Sequence, residues 1–270
     1  MKLKLHPAAN IFLTTLGVYF AIPTVWLFFG ATKPIGQLES SPWYKPGSFI
    51  TLFENIRNLF TSTNSQYSQW FQNSLIYTTT SSLIAVICCC LAGYGLSIYK
   101  FKGRKLLQVI LIFLTMVPSN ALVLPIYLTF SKFNLVNNAW AVILPGVVYP
   151  LGTFLVYIYL RINLNLEIID AARMDRCSEF SIFYKIGIQA MVPVLVIVFL
   201  FSFVQNWNAY FLPMVMLSET KLYTLPVGLS SSYGGSWLVV ATFLSMLPAM
   251  LVFIVLQKRI EINFSFQNQK

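Results

Sequence analysis

The stretch LEIIDAARMDRCSEFSIFYKI, residues 166–186, stands out in a chain of which charged residues make up only 10%. It contains four of the eight carboxylates, and it lies between two long apolar runs; the four are Glu167, Asp170, Asp175 and Glu179. A charged connection between two apolar runs predicts a loop outside a membrane. The concentration of charge in it predicts a surface that another protein recognises.

The apolar runs themselves require lipid as their solvent. Of the 270 residues 57% are hydrophobic, and the mean hydropathy is +0.71, which is more than one soluble core can enclose. Six windows approach the ~20 residues that a helix needs to cross a bilayer: 10–31, 74–98, 106–130, 138–160, 191–212 and 237–257. We therefore predict an all-α membrane protein with six transmembrane helices, forming a single domain over residues 1–270.

The distribution of lysine and arginine predicts the orientation of these helices. Five basic residues fall on one side of the predicted membrane: Lys33, Lys45, Arg57, Lys132 and Lys221. The other thirteen fall on the side of the chain ends and of the loop 161–190. Because loops rich in lysine and arginine stay in the cytoplasm, both termini and this loop are predicted to be cytoplasmic. The net charge of +10 then reports topology, and no nucleic-acid partner is expected.

The titratable residues exclude several kinds of site. Cys88, Cys89 and Cys90 are consecutive, Cys177 is isolated, and the single His6 has no acidic or thiol neighbour in sequence, so neither a metal site nor a catalytic site is expected. No charged residue lies in the middle of a predicted span and no phosphate-binding loop motif occurs. If the chain transports a solute, the energy is expected to come from another polypeptide, and a passive channel stays open as the alternative.

Polar side chains and prolines interrupt the predicted spans. Asn120, Gln205, Asn206 and Asn208 lie at or near membrane depth, where an amide must be buried in protein or face water. These residues predict a translocation path. Helix packing is the alternative role for each of them.

The charged loop is predicted to form two short helices. If the loop is helical, its apolar contacts are made by Ile169, Ala172, Phe180 and Phe183. The residues that stay in water are then Asp170, Arg173 and Glu179. Asp175 is predicted to cap the second helix. Ala171 and Ala172 would form a tip that allows a partner to approach closely, with orientation set by the flanking charges.

Here the sequence resembles the inner-membrane permease subunits of binding-protein-dependent ABC importers of the maltose and multiple-sugar type. Their loop signature is matched by Asp170-Ala171-Ala172-Arg173-Met174-Asp175-Arg176-Cys177-Ser178. The resemblance continues through PWYKP at 42–46, FQNSL at 71–75, LAGYGLSIYKFKGRKLL at 91–107, MVPSNALVLPIYLTF at 116–130, WNAYFLPMVMLS at 207–218, YTLPVGL at 223–229 and LPAMLVFIVLQKRI at 247–260. The order and spacing of these motifs over some 220 residues make the match specific.

The resemblance implies a type I importer permease (MetI-like) fold in the bacterial inner membrane. It implies as partners a second homologous permease subunit, two ABC ATPase subunits and an extracytoplasmic solute-binding protein. The chain itself would be no enzyme and would hold no cofactor, since ATP and magnesium belong to the ATPase subunits. The solute would be a sugar or a sugar derivative.

The resemblance also suggests roles for individual residues. The loop 161–190 becomes the coupling loop, docked on an ATPase subunit through Asp170, Ala171, Ala172, Asp175, Arg176 and Ser178. The solute path is predicted to include Asn120, Tyr149, Gln205, Asn206 and Asn208, with Trp207 stacking on a sugar ring. In the extracytoplasmic loop 213–236, Tyr233, Gly234 and Gly235 are expected to contact the binding protein.

Three positions depart from the family pattern. Arg176 replaces a glycine, Cys177 an alanine, and Gln189 a proline, and the usual glycine-rich tail is replaced by INFSFQNQK. Arginine adopts a positive φ poorly, so we expect either a looser bend at Arg176 or a contact with a particular partner. A same-fold importer of a phosphate ester, amino acid or peptide, and a passive channel or scaffold, are the alternative functions.

Overall fold

The computed structural model describes residues 7–34, 36, 37, 41, 42, 44–62, 66–231 and 237–267. The α-helices are α1 (Pro7–Ala31), α2 (Phe49–Ser62), α3 (Gln66–Ile98), α4 (Arg104–Met116), α5 (Val123–Lys132), α6 (Ala139–Val147), α7 (Pro150–Asn163), α8 (Leu166–Met174), α9 (Glu179–Ile182), α10 (Ile188–Trp207), α11 (Phe211–Met216), α12 (Leu225–Ser231) and α13 (Trp237–Gln267). Short 3-10 turns lie at Ser119–Leu122 and Thr220–Leu222, and a π-helical turn lies at Phe183–Gly187. The described residues contain no β-strand.

The long apolar helices account for five or six membrane crossings. Five are long and apolar enough by themselves: Pro7–Ala31, Gln66–Ile98, Ala139–Asn163, Glu179–Trp207 and Trp237–Gln257. A sixth crossing would be the pair Arg104–Met116 and Ser119–Lys132, which is bent by 97° at a short break. The fold is thus the helical membrane protein that the sequence predicts, although two predicted spans are interrupted and one of them is sharply bent.

Prolines determine where the predicted spans break. A residue that precedes proline is driven out of the helical region by the proline ring, and Val117, before Pro118, is extended at φ −71° and ψ 123°. Tyr149, before Pro150, leaves the helical region in the same way at φ −129° and ψ 77°. The sequence windows 106–130 and 138–160 each cover two helices for this reason.

The chain divides into two compact units. One comprises residues 1–69 and 228–247, and in it α2 is joined to the end of α1 through Asn55. The buried Asn55 amide donates to the carbonyl oxygens of Ala31 (2.9 Å) and Lys33 (2.8 Å). These bonds satisfy acceptors at the end of α1, where a helix has no backbone donors left.

The other unit comprises residues 70–227 and 248–270. Its inner cluster is formed by α3, α7 and α10 and includes Cys89, Tyr94, Val156, Met191 and Val198, all of them buried. The buried Cys89 and Cys90 are free thiols within this packing. Small residues bring the helices together, since a Cβ atom at Gly93 would lie only 2.5 Å from Val156 Cγ1.

Two of the sequence motifs meet within this second unit. In the FQNSL motif the Asn73 amide donates to the carbonyl oxygens of Lys221 (2.8 Å) and Tyr223 (3.0 Å). Ser74 Oγ accepts from the backbone N–H of Leu225 at 2.6 Å. The YTLPVGL segment is thereby attached to α3 through side chains that a pattern of hydrophobicity does not reveal.

The close contact at Gly93 generates a prediction about stability. Gly93→Ala places a methyl group against the fully buried Val156, and overpacking of this kind costs about 1–3 kcal/mol. We expect a lower temperature of thermal unfolding for the purified protein in detergent. Gly95→Ala is the matched control on the same helix, because a Cβ atom there meets nothing within 4 Å. Equal unfolding temperatures for the two variants would contradict the close approach of α3 and α7.

Candidate functional site

The charged loop forms two short helices that are capped by side chains. Asn165 Oδ1 accepts from the backbone N–H of Glu167 at 3.0 Å and begins α8. Ser178 Oγ accepts from the backbone N–H of Ser181 at 3.3 Å and begins α9. Asp175 was predicted to provide this second cap, and that prediction is wrong, because Asp175 is the last residue of the turn that ends α8.

A tight left-handed turn joins α8 to α9. Arg176 has φ 58°, the backbone N–H of Cys177 donates to Ala172 O at 3.1 Å, and that of Arg176 to Arg173 O at 3.0 Å. These two bonds form a Schellman motif, which usually has glycine at the left-handed position. The expectation of a looser bend at Arg176 is therefore wrong, and arginine adopts the conformation that the family's glycine favours.

One face of this two-helix element packs on the inner cluster. Ile169 and Ile182 are each 1% exposed, and Ala172 and Phe183 pack against the same cluster from partly buried positions. Phe180 was predicted to pack here too, but it is 76% exposed. The buried isoleucines are what attach the element to the membrane-spanning helices, with the hydrophobic effect as the main source of stability.

A network of charges holds the two short helices together. Arg173 binds Glu179 through two hydrogen bonds, Nε to Oε1 at 2.7 Å and a terminal nitrogen to Oε2 at 3.2 Å, and it also reaches Asp170 Oδ1 at 3.2 Å. Tyr99, just beyond the end of α3, donates its hydroxyl to Glu179 Oε2 at 2.9 Å. The hydrogen bonds of Arg173 to Glu179, and to a smaller extent to Asp170, raise the pKa of the Arg173 guanidinium above its usual range. The guanidinium therefore stays cationic at any working pH, and the element is fixed both internally and to α3.

The opposite face of the element is exposed and partly apolar. Met174 is 83% exposed and Phe180 76% exposed, and Ala171, Asp175, Arg176 and Ser178 are exposed around them. We call the exposed group Ala171, Met174 and Phe180 the apolar tip. The sequence interpretation did not name Met174 as a surface residue, and it placed Phe180 on the inner face. The signal for Met174 was present, since it follows Ala171 by three residues on one helix and so shares its face.

The π-helical turn Phe183–Gly187 continues α9 directly into α10. Tyr94 of α3 lies against it, with its ring edge-on to Phe183 at 5.0 Å between centroids. A Cβ atom at Gly187 would lie 2.6 Å from Tyr94 Cε2, so the turn approaches α3 closely. Turns of this kind are often found at functional positions, and this one connects the element to a membrane-spanning helix.

The predicted path residues divide into exposed and internally bonded groups. Asn120 lies in the exposed 3-10 turn Ser119–Leu122, and Gln205 and Asn208 are exposed at the end of α10, where Asn208 Nδ2 also donates to Val204 O at 2.8 Å. Asn206 instead donates from Nδ2 to Gly146 O at 3.2 Å, with Ser202 and Ser82 nearby. In a continuous helix the carbonyl oxygen of Gly146 would accept from the backbone N–H of residue 150. Residue 150 is proline and has no N–H, so the Asn206 amide supplies the missing donor.

The two aromatic members of the predicted path are packed within the protein. Trp207 is 5% exposed, and its ring stacks on Phe203 at 5.9 Å and meets Phe71 edge-on. It does not offer a free ring face to a sugar in this conformation, contrary to the prediction. Tyr149 is half-buried against the inner cluster and immediately precedes α7.

Two further predictions concern binding groups. Within the described ranges no three His, Cys, Asp or Glu residues come together in an arrangement that could hold a metal ion. Tyr233, Gly234 and Gly235, predicted to contact the binding protein, lie outside the described residues.

Known proteins share this sequence along nearly its whole length. The chain is 30% identical to the arabinooligosaccharides transport system permease protein AraQ of Bacillus subtilis, over 93% of this chain and 91% of that protein. It is 26% identical to the lactose transport system permease protein LacG of Rhizobium radiobacter, over 96% and 95% of the two chains. In structure it resembles a chain of a bacterial ABC transporter involved in the import of the acidic polysaccharide alginate, with a TM-score of 0.77, 20% identity and coverage of 93% and 94%.

The family model for these proteins matches most of the chain. Residues 85–264 match the model described as the binding-protein-dependent transport system inner membrane component. That range includes the two-helix element, its apolar tip, the break between α4 and α5 and the end of α10. The resemblance drawn from the sequence motifs is confirmed: the chain is a multi-pass membrane protein that belongs to the family of inner membrane components of binding-protein-dependent transport systems.

Proposed function

We propose that the chain is the permease subunit that passes a sugar or sugar-derived solute through the bacterial inner membrane, driven by ATP hydrolysis on partner subunits. The sugar is proposed because the relatives' names specify arabinooligosaccharides and lactose, and the similar structure belongs to an alginate importer. The proposal treats residues 1–270 as one permease domain.

The break between α4 and α5 is the observation that best supports a role in translocation. Residues 117–122 are exposed, they are not α-helical, and they interrupt a pair of apolar helices bent by 97°. Irregular backbone at membrane depth is tolerated only where protein covers it or water reaches it. A water-filled path shared with a second permease subunit would provide both the water and the covering protein.

The proposed polar lining of that path is Asn120, Gln205 and Asn208. Gln205 and Asn208 are three residues apart, so they lie on one face at the end of α10. Amide groups can both donate to and accept from sugar hydroxyls. Asn206 and Trp207 support this lining from behind, the first through Gly146 and the second through Phe203.

The apolar tip is the proposed contact with an ABC ATPase subunit. Met174 and Phe180 would fill a groove of that subunit, with Ala171 allowing close approach and with Asp170, Asp175, Arg176 and Ser178 at the rim. Ala172, proposed from the sequence as part of the contact, lies partly buried against the inner cluster and would support the tip from below. ATP and magnesium would bind to the ATPase pair.

The element is built to move as one body. The Arg173–Glu179 pair fixes α8 to α9, Tyr99 fixes them to α3, and the π-helical turn leads into α10. Closure of the ATPase pair would then displace the ends of α3 and α10 together and open the path on the opposite side. A binding protein would deliver the solute there, with Tyr233, Gly234 and Gly235 as its proposed contacts.

Reconstitution tests the solute class directly. The chain is assembled with its partner permease, its ATPase subunits and its binding protein in liposomes, and ATP hydrolysis is measured with candidate solutes. We expect stimulation by oligosaccharides. Stimulation by an amino acid, a peptide or a phosphate ester alone would contradict the sugar assignment while leaving the importer intact. Solute flux without ATP would contradict the importer.

Met174→Ser tests the docking role of the apolar tip. Removing an anchor side chain from an interface typically costs about 1–2 kcal/mol, so we expect the ATPase subunit to bind about 5 to 30 times more weakly in a titration. Cys177→Ser is the matched control, since Cys177 is exposed in the adjacent turn and the change replaces one atom. Equal affinities in the two variants would show that the tip is not the contact.

Glu179→Gln tests whether the charge network makes the element rigid. The variant loses the ion pair with Arg173, an exposed interaction worth about 1 kcal/mol at most, so amide hydrogen exchange in residues 170–183 should accelerate by up to about fivefold. Glu167→Gln removes the same charge from α8 outside the network and should leave exchange unchanged. The assignment fails if both variants exchange alike.

Cysteine substitution tests the lining of the path. In a background with Cys88 and Cys177 changed to serine, Gln205→Cys and Asn208→Cys should react with a polar thiol reagent at least in one nucleotide state. Asn206→Cys and Trp207→Cys should react slowly, because both positions face the protein interior. Protection of positions 205 and 208 in every nucleotide state would place this face of α10 against lipid or protein and remove it from the path.

A further inference from the structure

A basic recess lies where α3 ends and α4 begins. It is open to the surface, has a volume of about 340 Å³ and is lined by Lys100, Phe101, Gly103, Arg104, Lys105 and Leu106. Lys102 lies in the same connection and is exposed, so four cations fall within residues 100–105. None of these residues belongs to the apolar tip or to the proposed path.

The cations of this recess form no ion pair in the described part of the chain. The ion pairs found there join Arg173 to Asp170 and Glu179, and Lys221 to Glu219. Arg104 is half-buried and donates from a terminal nitrogen to Ser97 O at 3.2 Å. Its Nε atom is buried and meets no acceptor among the described residues. An unsatisfied donor on a cation is costly, and an anion beside it would lower that cost.

Apolar side chains border the cations on the surface. Phe101 is 45% exposed, Leu106 63% exposed and Leu107 45% exposed. The connection is only five residues long and joins two apolar helices, so it lies where both helices leave the hydrocarbon region. Cations at that depth, beside exposed apolar side chains, match a phosphate group that has acyl chains attached to it.

We propose that this recess binds an anionic phospholipid through its phosphate diester. Lys100, Arg104 and Lys105 hold the phosphate, and Phe101 and Leu106 contact the first part of the acyl chains. A lipid fits better than a soluble phosphate because a soluble anion leaves those two apolar side chains uncovered. The site is independent of the transported solute, so its test does not depend on the transport function.

The test measures lipid preference directly. The full chain, with the subunits that co-purify with it, is placed in phosphatidylcholine nanodiscs that contain spin-labelled phosphatidylglycerol or spin-labelled phosphatidylcholine as the probe. Each cation near a headgroup contributes about fivefold to the association of an anionic lipid. Lys100→Gln combined with Lys105→Gln should therefore weaken phosphatidylglycerol association by about 25-fold and leave phosphatidylcholine association unchanged.

Two further double variants make the result specific. Arg161→Gln with Lys185→Gln removes the same charge from exposed positions on the same predicted side of the membrane, and should change the preference by less than twofold. Lys100→Arg with Lys105→Arg keeps the charge and should retain phosphatidylglycerol binding. Loss of binding in this variant too would show that disturbed structure, not charge, explains the result.

Other occupants of the recess give distinct outcomes. An equal loss of preference in both glutamine double variants would leave only a general surface charge and overturn the site. Displacement of the labelled lipid by millimolar glycerol phosphate would identify a soluble anion as the ligand. Loss of a co-purifying subunit from the Lys100→Gln and Lys105→Gln variant, with lipid preference intact, would identify the recess as a protein contact.

Discussion

Inside a bilayer every backbone N–H and C=O group must find its hydrogen-bond partner within the protein, and this requirement decides how the helices of the second unit fit together. Pro150 removes the donor that Gly146 O would use in a continuous helix, and the Asn206 side chain supplies it from α10. Ser81 Oγ likewise bonds Ile143 O at 3.1 Å from α3. The interrupted helix thus becomes the place where neighbouring helices are joined. The break after α4 has no such cover among the described residues, since residues 117–122 are exposed, so water or a partner protein must satisfy its backbone groups.

The sequence predicts the helical membrane fold from its apolar windows and the family from the order and spacing of its motifs. Both signals can be read along the chain without knowing which residues meet in space. The facing of individual side chains depends on neighbours that are distant in sequence. A 3.6-residue period places Phe180 with Ile169 on the inner face, but α9 has only four residues and leads into a π-helical turn. The left-handed turn at Arg176 separates α9 from α8, so one helical period does not run through both, and Ile182 takes the buried position. Trp207 shows the same limit: its neighbour Phe203 lies four residues earlier on one helix, but only the structure reveals Phe71 of α3 beside it.

The turn at Arg176 shows how backbone hydrogen bonds can outweigh residue preference. A non-glycine residue in the left-handed region costs roughly 1–2 kcal/mol, yet the two bonds of the turn and the network around Arg173 hold it in place. The glycine of the family pattern predicts a left-handed turn here, and the turn forms although arginine occupies that position. The two-helix element keeps its geometry because several backbone hydrogen bonds and side-chain contacts hold it together. The residue type at position 176 alone therefore does not decide the shape of the turn.

The buried hydroxyl of Tyr94 has a consequence for the balance between conformations. Tyr94 is 3% exposed, and its hydroxyl meets no hydrogen-bond partner among the described residues. It lies beside the π-helical turn that links the two-helix element to α10. A buried polar group in this condition costs about 1–3 kcal/mol. Any alternative arrangement that gives the hydroxyl an acceptor recovers that free energy, which corresponds to a shift of about 5- to 150-fold in the ratio of two populations. The junction of α3 and α10 therefore contains a polar group whose hydrogen bonding would favour a different packing of these two helices.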